Sequence, residues 1–254
     1  MIASFPPWVF SVFLLAVMLV ARELGYALER RRRQRADPAD DGTKAEFALS
    51  AVLGLLALLI GFTFSLALAR YETRRELVVS EANAMGTTWL RFDLLEPDQR
   101  DRARALMKQY ASARLAYGLA GNMEDMVAAS HRADGLQAQL WSEIVASVKP
   151  LKSTAFPQVL LAPANEMIDL AGERTAAAEA HVPARLFGTL ALYAFVAAGL
   201  TGYMRGRFRT ATSLVFILVA LALGLVADLD NANKGLVRVP QEPIAAFLRS
   251  TDGS

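Results

Sequence analysis

The chain has 254 residues, enough for one large domain or two small ones, and 54% of them are hydrophobic, above the ordinary composition of soluble domains. Lys and Arg number 27 against 25 Asp and Glu, a net charge of +2, so the charge balance suggests no nucleic acid partner. Cysteine is absent, which excludes disulfides, thiolate metal sites and a cysteine nucleophile.

The apolar excess is gathered in four blocks, each near the roughly 17 to 25 residues that a spanning helix needs. The first, Trp8 to Ala21, runs on amphipathically to Ala27. Its charges are the reverse of a secretory signal: Met1 to Ser11 carries no Lys or Arg, and ERRRRQR follows the apolar stretch with no small-residue cleavage site. It is expected to be a retained anchor. A polar linker, ADPADDGTK from Ala36 to Lys44, supplies Asp, Pro and Gly as breakers.

The second block, Phe47 to Ala69, passes into charged sequence near Arg70 with no Pro, and with no Gly between Gly61 and Gly86. One helix from about Glu46 to about Leu95 is therefore expected. At 1.5 Å per residue it is about twice the bilayer core in length, and its second half must stand outside the membrane. Three further helices are predicted over Pro97 to Tyr117, Asn122 to Val148 and Phe156 to His181, punctuated by Gly118, Gly121, Pro150, Pro157 and Pro183. From Arg70 to Ala184 there are thirteen Lys and Arg against fifteen Asp and Glu, a mixed and solvated composition. Leu186 to Met204 and Ala211 to Ala227 are the last two spans, followed by an irregular segment, Asp228 to Pro243, and a short helix over IAAFLRS.

These elements define an all-α membrane protein of four transmembrane helices, with a helical soluble domain inserted between spans two and three. Its expected divisions are residues 1–69, 70–184, 185–228 and 229–254. Catalytic constellations are nearly absent, and no enzyme is expected. His131 and His181 fit no metal spacing and are read as solvated; no nucleophile elbow and no phosphate-binding loop occur. Met123, Met126, Trp141 and Ile144 lie at helical spacings and read as core. Gly202 and Gly206 form a GxxxG that allows close helix packing.

Alternating steps of four and three along the long helix give Leu55, Leu59, Phe62, Leu66, Ala69, Thr73, Glu76, Ser80, Asn83 and Thr87. This face is apolar within the bilayer and small or polar beyond it. Two readings stand: a stripe lining the axis of an oligomer, where an apolar constriction opens into a wetter vestibule, or a seam packed against a neighbouring helix. Glu72 with Arg75, and Glu72 with Glu76, are helix neighbours worth a few tenths of a kcal/mol each. Arg70 and Tyr71 suit the membrane interface.

GFTFSLALARY, Gly61 to Tyr71, resembles the second transmembrane segment of the bestrophin anion channels. Gly61, Phe62, Ser65 (Thr in that family), Leu66 and Arg70 match in place, with Tyr71 for Trp. RYETRRELVVSEANAMGTTWLR and the closing DLD…KG…V…P look like the bacterial bestrophin-like membrane proteins. The resemblance implies a homopentamer in the bacterial inner membrane, passing small ions along its axis through a neck at Gly54, Leu58 and Phe62. Phe62 is thus selected by periodicity and by resemblance. Gly54 and Leu58 stand where the family carries bulkier or aromatic groups, which implies a looser neck. With Leu66, Glu76 and Asn83 from the stripe, these residues complete the expected pore lining. The alternative is a non-conducting membrane scaffold or sensor whose soluble helices bind a protein partner.

The resemblance also puts Asp228 and Asp230 where the channels carry a calcium-binding turn. They would bind Ca²⁺ only with oxygens from elsewhere. Otherwise no cofactor is expected, and a capped helix end with a turn from Asn231 to Gly235 explains the same residues, with Lys234 or Arg238 as compensating cation. Orientation is contested. Arg30 to Arg33, Arg35 and Lys44 in one short loop and Arg205, Arg207 and Arg209 in another, against no cation before the first span, put both termini and the soluble domain outside the inner membrane. The resemblance implies the reverse, and the charge rule is preferred here.

Overall fold

The computed structural model describes residues 7–34, 42–151, 154–205, 208–231 and 235–252. Most of the expected linker, Gly206 and Lys234 lie outside the described residues. Within them the chain forms eight α-helices and no strand. They are α1 (Pro7–Arg33), α2 (Gly42–Arg91), α3 (Pro97–Leu119), α4 (Met123–Val148), α5 (Phe156–Glu179), α6 (Ala184–Arg205), α7 (Arg209–Asp230) and α8 (Glu242–Thr251). Four helical stretches are long and apolar enough to cross a membrane; they include α1, the first part of α2, α6 and α7. The all-α, four-span membrane fold is thus present. α1 runs further than its apolar block, through the arginine run to Arg33, because arginine is a good helix former and nothing breaks the chain there.

The chain divides into two compact units, with the boundary at Ala69 and Arg70 inside α2. The membrane unit holds residues 1–69, 181–231 and 235–237. Its core gathers Leu14, Met18, Leu56, Leu190, Ala194, Ala197, Ala198, Phe216 and Leu223. α1 and α6 approach backbone to backbone. A Cβ on Gly25 would lie 2.0 Å from the Gly199 carbonyl oxygen, and one on Gly202 would lie 2.0 Å from that of Arg22. Only glycine permits this approach, the small-residue packing that helices use in lipid. Gly202 of the predicted GxxxG therefore packs against α1. Buried Thr63 and Thr201 donate to the Leu59 and Ala197 carbonyls at 2.7 Å, so neither hydroxyl is stranded in an apolar interior. Phe10 and Phe187 meet edge to face at 5.8 Å.

Arg22 is the buried cation of this unit. It donates to Ser213 Oγ at 2.6 Å and to the Arg209 carbonyl at 3.1 Å, and it pairs with Glu23, which also pairs with Arg209. The middle of α1 is thereby fastened to the start of α7.

The helical unit holds residues 70–180, 232–234 and 238–254. Val78, Met85, Trp89, Phe92, Met107, Tyr110, Leu140, Ile144, Leu160, Met167, Ile244 and Phe247 form its core. α2 ends in a 3₁₀ turn over Phe92–Leu94, and Pro97 opens α3, where its missing N–H costs nothing. Asn122 proves to be the cap of α4, with its side chain accepting from the Asp125 N–H at 2.8 Å. Of the four residues expected in the core around α4, Ile144 is buried, Trp141 packs against the core and Met126 is half-buried, but Met123 at the helix start is exposed. α5 stops at Glu179, two residues before the predicted His181.

Pro163 lies inside α5 and lacks the N–H that would bond the Val159 carbonyl. The Arg91 guanidinium donates to that carbonyl instead. A second arginine serves the end of the same helix: buried Arg74 donates from Nε to the Ala177 carbonyl at 3.0 Å and from Nη2 to that of Ala180 at 2.8 Å. A cation at a helix C-terminus also answers the helix dipole.

Candidate functional site

α2 is 50 residues long, and its two faces have opposite character. One face is buried: Leu56, Thr63, Ala67, Arg74, Val78, Glu81, Met85, Thr88 and Phe92 recur at steps of three, four and seven. The opposite face is mostly open, although Leu59 packs against the membrane core and Ser80 is half-buried. Phe62 is 65% exposed, Leu58 52% and Leu66 40%, while Gly54, Ala69, Thr73, Glu76, Asn83 and Thr87 are also exposed. All six residues expected to line a pore therefore lie on this face, and none is covered within the protomer. A Cβ on Gly54 would meet nothing within 4 Å, so no contact in the protomer demands glycine there.

Charge is distributed unevenly between the faces. On the buried face Glu81 is fully enclosed and accepts from Arg114 Nε at 2.5 Å and from Arg174 Nη1 at 2.6 Å. Arg174 Nη2 donates to Gln241 Oε1 at 2.5 Å, and Arg114 Nη2 donates to the Ala171 carbonyl at 3.2 Å. The Tyr117 ring stands against both guanidinium groups, at 5.0 and 5.4 Å. Gly118 makes room for the network, since a Cβ there would sit 2.0 Å from Gln241 Oε1. Burial opposes the charge of both arginines. For Arg114 the Glu81 carboxylate outweighs burial and the net shift is upward; for Arg174 burial wins and the shift is downward. Burial also pushes the Tyr110 hydroxyl well above its ordinary range, reinforced by the Glu81 charge. On the open face Arg75 pairs with Glu72 at 3.3 Å, and no ion pair reaches Glu76 among the described residues.

Sequence reasoning missed the buried network. Arg74 and Glu81 lie in the stretch from Arg70 to Ala184 whose composition reads as mixed and solvated, yet both fall on the buried repeat that contains Val78 and Met85. A charge in register with a core stripe was the available signal.

Asp228 and Asp230 serve the backbone. Asp228 accepts from the Leu236 N–H at 2.8 Å and from the Val237 N–H at 2.9 Å, one on each carboxylate oxygen. Asp230 Oδ1 accepts from the Val182 N–H at 2.7 Å. Two N–H donors answer the Asp228 charge at the end of α7, and the expected cation Arg238 is exposed. A Cβ on Gly235 would lie 2.4 Å from Asp228 Oδ1. Among the described residues no group of three or more His, Asp or Glu surrounds these aspartates, so a calcium ion would have to compete with N–H donors. His181, expected to be solvated, places Nδ1 3.1 Å from the Asp230 carbonyl oxygen.

No curated protein matches the chain in sequence. Crystal structures of a bacterial bestrophin homologue from Klebsiella pneumoniae share its fold. One single-substitution variant gives a TM-score of 0.71 at 14% identity, covering 96% of this chain and 99% of that one. The form solved by Zn-SAD phasing gives 0.69 at 14% identity, covering 95% of each. A structure described only as a membrane protein variant gives 0.71 at 14% identity, covering 94% and 96%. A family model described as a Bestrophin-like domain matches residues 4–244. An all-helical membrane fold, the segment from Gly61 to Tyr71 and a match over nearly the whole length converge, and the chain belongs to the Bestrophin-like family.

Proposed function

We propose that the protein is a homo-oligomeric ion channel, a pentamer like the bestrophins it resembles, in which the open face of α2 lines an axial pore. Gly54, Leu58 and Phe62 form an apolar neck, Leu66 extends it, and Glu76 and Asn83 line the wetter stretch beyond. The observation that carries this reading is the continuity of the open face. A seam packed within the protomer would bury it, yet apart from Leu59 and Ser80 the stripe stays exposed on both sides of the boundary at Ala69 and Arg70. An apolar ring at Phe62 controls passage by excluding water when narrow.

Two measurements test the proposal together: the oligomeric state in mild detergent and ion flux in proteoliposomes. Phe62→Ala widens the neck and raises flux without unfolding the chain, since the ring touches no core. A closed bundle with no flux in either variant would favour the scaffold. The protein resides in a bacterial inner membrane as a multi-pass protein, with the helical unit and both termini outside, following the arginine bias of its short loops. Fusion of alkaline phosphatase after Ser254 gives activity in that orientation. A fluorescent protein that matures only in the cytoplasm lights up if the orientation is the reverse.

A further inference from the structure

The sign of the permeating ion can be read from what α2 does with its own charges. The helix carries Arg70, Arg74, Arg75 and Arg91 in its second half, enough to make an anion path if they faced the stripe. They do not. Arg74 is buried and donates to the Ala177 and Ala180 carbonyls. Arg91 donates to the Val159 carbonyl, which Pro163 leaves open. Arg75 is engaged by Glu72 at 3.3 Å. Arg70 is half-buried and stands at the margin of the stripe, four positions after Leu66 and about 120° round the helix from Glu76. From Leu55 to Thr87 the stripe itself therefore carries one charged group, Glu76, exposed and with no ion pair among the described residues.

We propose that Glu76 makes the pore cation-selective, forming one carboxylate per protomer in a ring on the axis. This rests on the channel reading above. A ring of like carboxylates in a walled passage concentrates counter-ions and repels anions. Thr73, Ser80, Asn83 and Thr87 add neutral oxygens on either side, which suit a partly dehydrated monovalent cation. The rest of the helix supports the assignment: Arg74, Arg75 and Arg91 are each held by a carbonyl or a carboxylate, and none of them pairs with Glu76.

The test is a reversal-potential measurement on the full chain in planar bilayers under a KCl gradient. Wild type should pass K⁺ in preference to Cl⁻. Glu76→Gln should lower that preference by about tenfold, the lower end of what fields of one sign produce in a cleft. Glu76→Lys should invert it. Asp93→Asn, which removes a carboxylate paired with Arg104 off the stripe, should change nothing. Raising salt symmetrically from about 0.1 to about 1 M shortens the screening length from about 10 to about 3 Å and should erode the wild-type preference. Currents that favour Cl⁻, or a K⁺ preference unchanged in Glu76→Gln, overturn the selectivity assignment and leave the channel standing. Silence in wild type and in Phe62→Ala overturns both.

Discussion

The two units differ in what they leave on the outside and in how their helices meet. In the membrane unit the exterior carries the large apolar side chains, Phe13, Leu24, Phe47, Leu192, Leu218 and Leu221 among them, while alanines and glycines fill the contact between α1 and α6. In the helical unit Met85, Phe92, Met107, Tyr110 and Met167 are inside, and a carboxylate with two arginines is inside with them. Solvent explains the contrast. Lipid offers no hydrophobic gain for burying a leucine, so helices associate by close backbone approach and by satisfying each hydroxyl locally. Water rewards burial of large side chains, and the gain supports an ionic network that on its own would be costly to desolvate.

The most damaging change is expected at the network. Glu81→Gln leaves Arg114 and Arg174 buried without a counter-charge and should cost about 3–5 kcal/mol. The loss is measured as a fall in melting temperature followed by tryptophan fluorescence, with Trp89 reporting from the same core. Arg114→Met keeps the pair of Glu81 with Arg174 and should cost less. In the membrane unit the corresponding weak point is backbone approach. Gly202→Ala forces its methyl against the Arg22 carbonyl and should cost about 1–3 kcal/mol, seen as loss of folded protein during detergent heating.

Asp228→Asn should remove about 1–2 kcal/mol of charge-assisted hydrogen bonding and speed proteolysis of the segment after α7. Chelating Ca²⁺ should leave that cleavage rate unchanged. The smallest effect has the opposite sign. Gly135 lies within α4 and a Cβ there meets nothing within 4 Å, so Gly135→Ala should stabilise the helical unit by about 0.5–1 kcal/mol. Two glycine-to-alanine changes would thus separate packing in lipid from helix propensity in water.

Helices were readable wherever local punctuation acts. Asn122 as a cap, Pro97 in a first turn and the unbroken run from Gly61 to Gly86 place α4, α3 and α2 to within a few residues. Amide exchange that is slow across Val78 to Ala84 would confirm the outer half of α2 in solution. The stripe was readable because it is a period within one helix. The ionic network was not, because its members stand 33 and 93 residues apart and each charge alone resembles an ordinary solvated one. Pro163 does not end α5, and the carbonyl it strands is met by Arg91 from another helix, a remedy that no local pattern contains. The contact of Gly25 with Gly199 is likewise a property of two distant segments.

The distance between partners also sets a timetable. Glu81 leaves the ribosome 93 residues ahead of Arg174, an interval of roughly 5–20 s at about 5–20 residues per second. Gln241, Ile244 and Phe247, which complete the network and the core of the helical unit, come later still, after α6 and α7 have been synthesised. The core of the helical unit is therefore completed last, by side chains from beyond α7. Glu81, Arg114 and Arg174 can pair before α6 and α7 are made, but Gln241, which accepts from Arg174, and the last core side chains join only after them.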